Sequence, residues 1–153
     1  MSVETWNRLT VGAPLRTKDG RLGPRYWDGT ADALTRAGHR VFAPALLDET
    51  TCHLSDHIAQ VCTLIRDKDL RDIILVGHSY GGMVITGVAD AMPDRIRRLV
   101  YLDAAAPEPD DSLYDLLRRG LADATGKFPV LPEPSPPYVE KIFFTAKKIR
   151  NIK

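Results

Sequence analysis

The sequence has few cysteines and almost no net charge, and each shortage excludes a class of protein. Only two of its 153 residues are cysteine, Cys52 and Cys62. No Cys-x-x-Cys pair occurs, which argues against a zinc site and a disulfide scaffold. We expect two free, buried thiols, as in a reducing compartment, and therefore a cytoplasmic protein. The formal net charge of +1 is too small to attract nucleic acid or an anionic membrane.

Long apolar segments are also missing. No run approaches the roughly 20 apolar residues that span a membrane, and residues 1–9 contain no stretch of signal-peptide length. A chain of 153 residues with 44% hydrophobic residues is long enough for one domain with its own core. We therefore expect a single soluble domain with no membrane partner.

Two kinds of apolar pattern alternate between residues 26 and 117. Helical spacing predicts helices near residues 26–37, after a cap at Ser55, and over residues 83–91, followed by a short helix around Leu113. Short unbroken apolar runs are typical of strands covered on both faces, and they lie at residues 41–43, 73–76 and 99–102. Alternating strands and helices predict an α/β fold, with a parallel sheet and flanking helices.

One motif within this pattern points to chemistry. Residues 77–81 read Gly-His-Ser-Tyr-Gly, which fits the Gly-x-Ser-x-Gly pattern of a nucleophile elbow between a strand and a helix. In such an elbow Ser79 occupies a strained turn that presents its hydroxyl at the edge of the sheet. Gly77 and Gly81 let strand and helix approach closely. The backbone N–H of Tyr80, at the positive end of the helix, would stabilise an oxyanion.

The stretch from residue 73 to 113 resembles the small serine esterases of the α/β-hydrolase fold, and most closely the methylesterase and hydroxynitrile-lyase-like subgroup. Residues 37–44, Ala-Gly-His-Arg-Val-Phe-Ala-Pro, resemble an earlier sheet element of the same family. The similarity covers about residues 22–118. It implies a cofactor-free enzyme with no metal, a triad of serine, acid and histidine, and a cap inserted after the strand that ends at Leu102.

The sequence departs from this family pattern at the triad. Its four histidines all precede or adjoin Ser79, whereas the family's base follows the acid along the chain. His78 adjoins the nucleophile, so its side chain should point away from the Ser79 hydroxyl. His57, near the start of a helix, is the candidate substitute base. The alternative is that it simply lies on the helix surface. Asp103, at the end of a strand, is the candidate acid. The alternative is a structural role, in which it accepts backbone hydrogen bonds in the turn.

A strand that the family places before the first helix is also missing from its usual position. The neighbouring strands would then lack a partner between them. We expect a segment of residues 5–12 to insert there, in preference to a partner chain or to direct pairing of the two strands. Unpaired sheet edges would otherwise favour self-association.

These observations predict one partial, truncated α/β-hydrolase domain. Residues 1–24 form a divergent N-terminal segment, residues 25–106 the core, and residues 107–153 the start of a cap and a tail. The five prolines in residues 129–137 argue against regular structure there, and the basic residues after 139 indicate a solvated end. The implied function is hydrolysis of a small carboxylic ester, with no cofactor. The alternative is a catalytically inactive remnant or a binding module without the histidine and acid.

Overall fold

Four parallel strands form one sheet, in the order β2-β1-β3-β4. A computed structural model describes residues 27–120, 135–146, 149 and 152, and the backbone of residues 7–11. The strands are β1 (Asn7–Val11), β2 (Arg40–Phe42), β3 (Ile73–Ser79) and β4 (Ile96–Ala104). The helices are α1 (Asp28–Arg36), α2 (Leu54–Asp67), α3 (Gly81–Ala91), α4 (Leu113–Gly120) and α5 (Pro136–Val139). This arrangement confirms the predicted α/β class.

The gap between β2 and β3 is filled from the N-terminus. In β1, Asn7 lies opposite Arg40 of β2 on one side and opposite Ile73 of β3 on the other. The preferred expectation, a strand taken from residues 5–12, is therefore confirmed. This insertion satisfies the backbone groups of both neighbours, and each such group would cost about 1–3 kcal/mol if it were buried without a partner.

The α2 helix begins one residue earlier than its predicted cap at Ser55. Its N-cap is His53, whose backbone N–H donates to the Asp56 carboxylate at 2.8 Å. The Ser55 N–H instead donates to the Glu140 carboxylate of the C-terminal segment, at 3.2 Å. The prediction of a Ser55 cap is wrong because the capping box of His53 and Asp56 starts the helix before Ser55.

The core lies between β3 and the two helices α2 and α3. Nine consecutive residues of α3, from Gly81 to Ala89, are buried, so this helix is enclosed on all sides. Gly87 permits close packing of α2, because a Cβ there would lie 2.2 Å from Cδ1 of Ile58. None of the helices in the described ranges combines the length and apolarity that a membrane span requires.

Both cysteines are free thiols, but only one is fully buried. Cys62 lies in the core at 4% exposure, and burial raises the pKa of its thiol. Cys52 is half-buried, so the expectation of two buried thiols is wrong for this residue. Cys52 precedes the cap of α2 in the loop from β2, outside the apolar stripe that buries Cys62.

The C-terminal segment packs against the core instead of extending into solvent. Ile142 is 3% exposed and forms an isolated antiparallel bridge with Asp111. The expected solvated end is therefore wrong at Ile142, which is buried between the exposed neighbours Lys141 and Phe143. Prolines 136 and 137 start α5, since the first helical turn tolerates proline; residues 129–134 lie outside the described part.

Candidate active site

Ser79 is the last residue of β3 and directly precedes the residue that caps α3. Its φ of 52° lies in the left-handed region, which costs a non-glycine residue free energy unless surrounding contacts enforce it. The Ser79 carbonyl accepts a hydrogen bond from the Ala105 N–H at 3.0 Å, and the residue is exposed to solvent. These are the strained angles and the position at the carboxyl edge of the sheet that we predicted.

Two glycines allow the tight passage from β3 into α3. A Cβ on Gly77 would lie 2.7 Å from the Gly81 carbonyl oxygen, and a Cβ on Gly82 would lie 1.9 Å from the Ala105 carbonyl oxygen. Both contacts are with backbone atoms, so no side-chain rotation could relieve them. Gly77 was predicted from the motif, whereas Gly82 was not singled out, although its place beside Gly81 at the helix start was a usable signal.

Tyr80 connects the nucleophile position to the core. Its backbone has αR angles as the N-cap of α3, and its side chain is 1% exposed. The hydroxyl lies 2.9 Å from Nδ1 of His57, and burial holds the pKa of this phenol well above its usual range. The predicted role of Tyr80 concerned its backbone N–H, and nothing in the sequence indicated that its ring would be anchored.

His57, the candidate base, lies inside the core and not on the helix surface. It is 0% exposed, and its Nε2 lies 3.1 Å from the Leu47 carbonyl oxygen. With Nδ1 at Tyr80, both ring nitrogens are engaged by groups other than Ser79. Burial lowers the pKa of His57, and the hydrogen bond to Leu47 opposes this shift in part. His57 therefore connects α2 to Tyr80 and to the loop at Leu47 inside the core.

Asp103, the candidate acid, lies beside Ser79 across the sheet. His78 pairs with Leu102 and Ser79 pairs with Ala104, so Asp103 is the extra residue of a β-bulge. Its φ is 45°, and it is exposed. Bulges commonly redirect a side chain near a functional site, and this one places Asp103 next to Ala104, the ladder partner of Ser79.

His78 faces the opposite side of the sheet from the core. Its ring packs edge-on against Trp27 at the start of α1, with centroids 6.4 Å apart and planes at 86°. Residues i and i+1 of a strand point to opposite faces, so this contact is consistent with a His78 side chain directed away from the Ser79 hydroxyl.

A second buried contact ties α3 to the edge strand β4. The Thr86 hydroxyl donates to the Gly82 carbonyl at 2.8 Å, and it lies 2.7 Å from the Tyr101 hydroxyl. Since the one Thr86 proton points at the carbonyl, the Tyr101 hydroxyl donates to Thr86. In the described part of the chain no group of histidine, cysteine and acidic side chains is arranged to bind a metal ion.

The sequence matches the alpha/beta hydrolase family over residues 11–148. With the parallel sheet and a strained serine between β3 and α3, this match shows that the chain belongs to that family. The described sheet and helices thus represent part of an α/β-hydrolase fold.

Curated relatives of the chain include esterases. It is 52% identical over 100 residues to a carbendazim-hydrolysing esterase of Nocardioides, covering 60% of this chain and 41% of that protein. It is 27% identical over 142 residues to methylesterase 8 of Arabidopsis thaliana, covering 86% of this chain and 52% of the relative. The chain thus spans about half the length of these relatives, or less.

The structure also resembles a Paenibacillus protein described as an extracellular α/β-hydrolase that shares structural and functional homology with tobacco salicylic acid binding protein 2. The TM-score is 0.74 at 26% sequence identity, over 97% of this chain and 74% of that one. Fold and family are therefore those of the α/β-hydrolases, as the sequence resemblance implies.

Proposed function

We propose that this chain carries the nucleophile of a serine hydrolase that cleaves small carboxylic esters, with Ser79 as that nucleophile. The observation that supports this best is the φ of 52° at an exposed Ser79, placed where β3 passes into the 11-residue helix α3. Strained backbone is retained where surrounding contacts enforce it, and such sites are concentrated in active centres.

The reaction follows from this geometry. Ser79 Oγ attacks the ester carbonyl carbon while its proton passes to a general base, and the Tyr80 N–H donates to the developing oxyanion. Collapse of the tetrahedral intermediate expels the alcohol and leaves an acyl-Ser79, which water then hydrolyses to the free acid. Gly77 and Gly81 would keep the turn tight enough for both donor and nucleophile.

We propose that the base comes from outside these 153 residues. His57 has both ring nitrogens engaged inside the core, and His78 packs against Trp27. Asp103 remains the candidate acid because it is the bulge residue next to Ala104, the ladder partner of Ser79. Without a base the isolated chain should have negligible turnover, since losing the triad histidine costs on the order of 10⁶ in rate.

The experiment compares the isolated chain with a chimera. In the chimera, residues 27–120 replace the corresponding segment of the Nocardioides carbendazim-hydrolysing esterase, which supplies the remaining fold. We expect the isolated chain to leave p-nitrophenyl acetate unhydrolysed above background, and the chimera to hydrolyse it, and carbendazim, until Ser79→Ala removes the activity. Robust turnover by the isolated chain would show that it contains its own base.

The competing proposal is an inactive remnant or binding module without the triad histidine and acid, in which Ser79 is no longer used as a nucleophile. It predicts that the chimera folds, as judged by circular dichroism, yet stays inactive at every ester tested. Ser79→Ala would then leave the background rate unchanged and alter stability by less than about 0.5 kcal/mol, since alanine keeps the Cβ and therefore the same strained φ. The chimera therefore separates the two proposals even though the isolated chain cannot.

Self-association is the partner behaviour that we propose for the isolated chain. The outer edge of β4 has no strand beyond it in the described sheet, and Leu102 on that strand is 51% exposed. Open edges with apolar side chains favour strand addition. Sedimentation velocity over a range of concentrations should detect dimers that Leu102→Lys weakens.

We also propose a cytoplasmic location, because both thiols are free.

A further inference from the structure

A buried histidine holds the residue that follows the candidate nucleophile. His57 projects from α2 into the core at 0% exposure, and its Nδ1 lies 2.9 Å from the Tyr80 hydroxyl oxygen. The rings meet edge-to-face, with centroids 5.7 Å apart. On its other side, Nε2 reaches the Leu47 carbonyl, 3.1 Å away in the loop after β2.

The donors and acceptors of this contact can be assigned. The Leu47 carbonyl can only accept, so Nε2 of His57 carries a proton and donates. A neutral imidazole then has Nδ1 as an acceptor, and the Tyr80 hydroxyl donates to it. Burial lowers the pKa of His57, which favours this neutral form. Every polar atom of the pair is thus used, as a buried pair requires.

The Tyr80 ring is also held from the C-terminal segment. Tyr138 of α5 packs edge-on against it, with centroids 5.2 Å apart. The Tyr138 hydroxyl donates to the Glu49 carboxylate. The charged groups that act on His57 are Asp56 on its own helix, Glu49 in the loop and Glu140 in the tail. Tyr80 is therefore contacted from two separate parts of the chain, α2 and α5, and the loop at Leu47 and Glu49 holds both contacting side chains.

Fixing Tyr80 matters because of its neighbour. The peptide between Ser79 and Tyr80 carries both the strained serine backbone and the N–H proposed as oxyanion donor. A strained φ relaxes unless contacts outside the turn prevent it. The Tyr80 side chain is buried in the core, whereas Ser79 is exposed, so anchoring the Tyr80 hydroxyl restricts rotation of the peptide between them.

We propose that His57 is a positioning residue, which holds Ser79 and the Tyr80 N–H in reactive geometry by accepting a hydrogen bond from the Tyr80 hydroxyl. This inference rests on the proposed function of Ser79, and it gives His57 a role other than that of base. A displaced peptide would weaken attack and oxyanion stabilisation together, so the loss should appear in kcat and not in KM.

Two substitutions of His57 separate the two hydrogen bonds. In His57→Asn the amide oxygen can stand near Nδ1 and still accept from Tyr80, whereas in His57→Gln the longer amide reaches toward Leu47 and leaves Tyr80 without an acceptor. Val61→Ala, one turn further along α2 and also 0% exposed, is the matched control. It removes core packing without touching the Tyr80 hydroxyl.

The first measurement uses the full chain and needs no activity. We expect the ¹³Cα and ¹³Cβ shifts of Ser79 to move toward those of relaxed backbone in His57→Gln and in Tyr80→Phe. They should stay near wild type in His57→Asn and Val61→Ala. The ¹⁵N shifts of His57 should show a neutral ring protonated at Nε2. Unchanged Ser79 shifts in His57→Gln, in folded protein, would overturn the proposal.

The second measurement uses the chimera described above. We expect His57→Gln to lower kcat about 10- to 100-fold with little change in KM, and His57→Asn to restore most of that loss. Equal loss in His57→Asn, His57→Gln and Val61→Ala would mean that His57 acts only through stability, and the proposal would be wrong. An inactive parent chimera would count against the proposed function, while the Ser79 shifts would still decide the role of His57.

Discussion

Replacing Gly82 with alanine should strongly destabilise the domain. The added Cβ would lie 1.9 Å from the Ala105 carbonyl oxygen and 2.8 Å from its carbonyl carbon, where ordinary contact begins at 3.4 Å. Both elements must therefore separate by more than an ångström. Overpacking of this kind costs about 1–3 kcal/mol. We expect a cost near the upper limit, because the clash is with backbone atoms, which cannot rotate away as a side chain could. Alanine recovers about 1 kcal/mol of helix propensity, so we expect a net loss of about 2 kcal/mol.

Urea denaturation followed by circular dichroism measures this loss, and a second glycine supplies the control. A Cβ on Gly29, within α1, would meet nothing within 4 Å, so Gly29→Ala should stabilise the chain by about 0.5–1 kcal/mol. The melting temperature should fall by about 4–8 °C in Gly82→Ala and rise by about 1–4 °C in Gly29→Ala. A Gly82→Ala variant as stable as wild type would show that α3 and the segment after β4 are not in close contact.

Three further outcomes are expected. Burial lowers the pKa of His57, so the unfolded chain takes up the proton first as the pH falls below about 6.5. The free energy of unfolding should therefore decline there by at most about 1.4 kcal/mol per pH unit. Thermal melts between pH 5 and 7 should show a flatter pH dependence in His57→Gln than in wild type. Cys52 should react with a disulfide reagent in the folded chain, whereas Cys62, 4% exposed, should react only on unfolding; equal rates would contradict its burial. Thr86→Val should cost about 1 kcal/mol in urea titrations, since Tyr101 loses its acceptor, and combining it with Tyr101→Phe should recover part of that cost.

Local patterns in the sequence predicted the features that local forces determine. The apolar run before Gly77 and the glycine-flanked serine were enough to predict β3, α3 and the strained Ser79, because each depends on residues within a few positions. Insertion of an N-terminal strand was also predictable, since leaving two buried strand edges unpaired would cost as much free energy as the whole domain gains on folding.

Features set by distant partners were not predictable in the same way. His57 occupies an apolar stripe of α2, but counting hydrophobic residues assigns a histidine to the surface. Its burial depends on an acceptor at Leu47 and a donor at Tyr80, which no local pattern reveals. The cap of α2 was misplaced for a different, local reason: the His53 N–H donates to the Asp56 carboxylate, so a histidine occupies the position that serine or threonine usually takes in a capping box.

The position of β1 has a kinetic consequence. The first strand along the chain lies inside the sheet, between β2 and β3, and pairs Asn7 with Arg40 and with Ile73. The sheet therefore cannot close until the chain has been synthesised past β3, and its central contacts are all remote in sequence. Folding rates fall as contacting residues lie further apart along the chain. Until β1 is inserted, β2 and β3 expose the edges that make a nascent chain prone to aggregation.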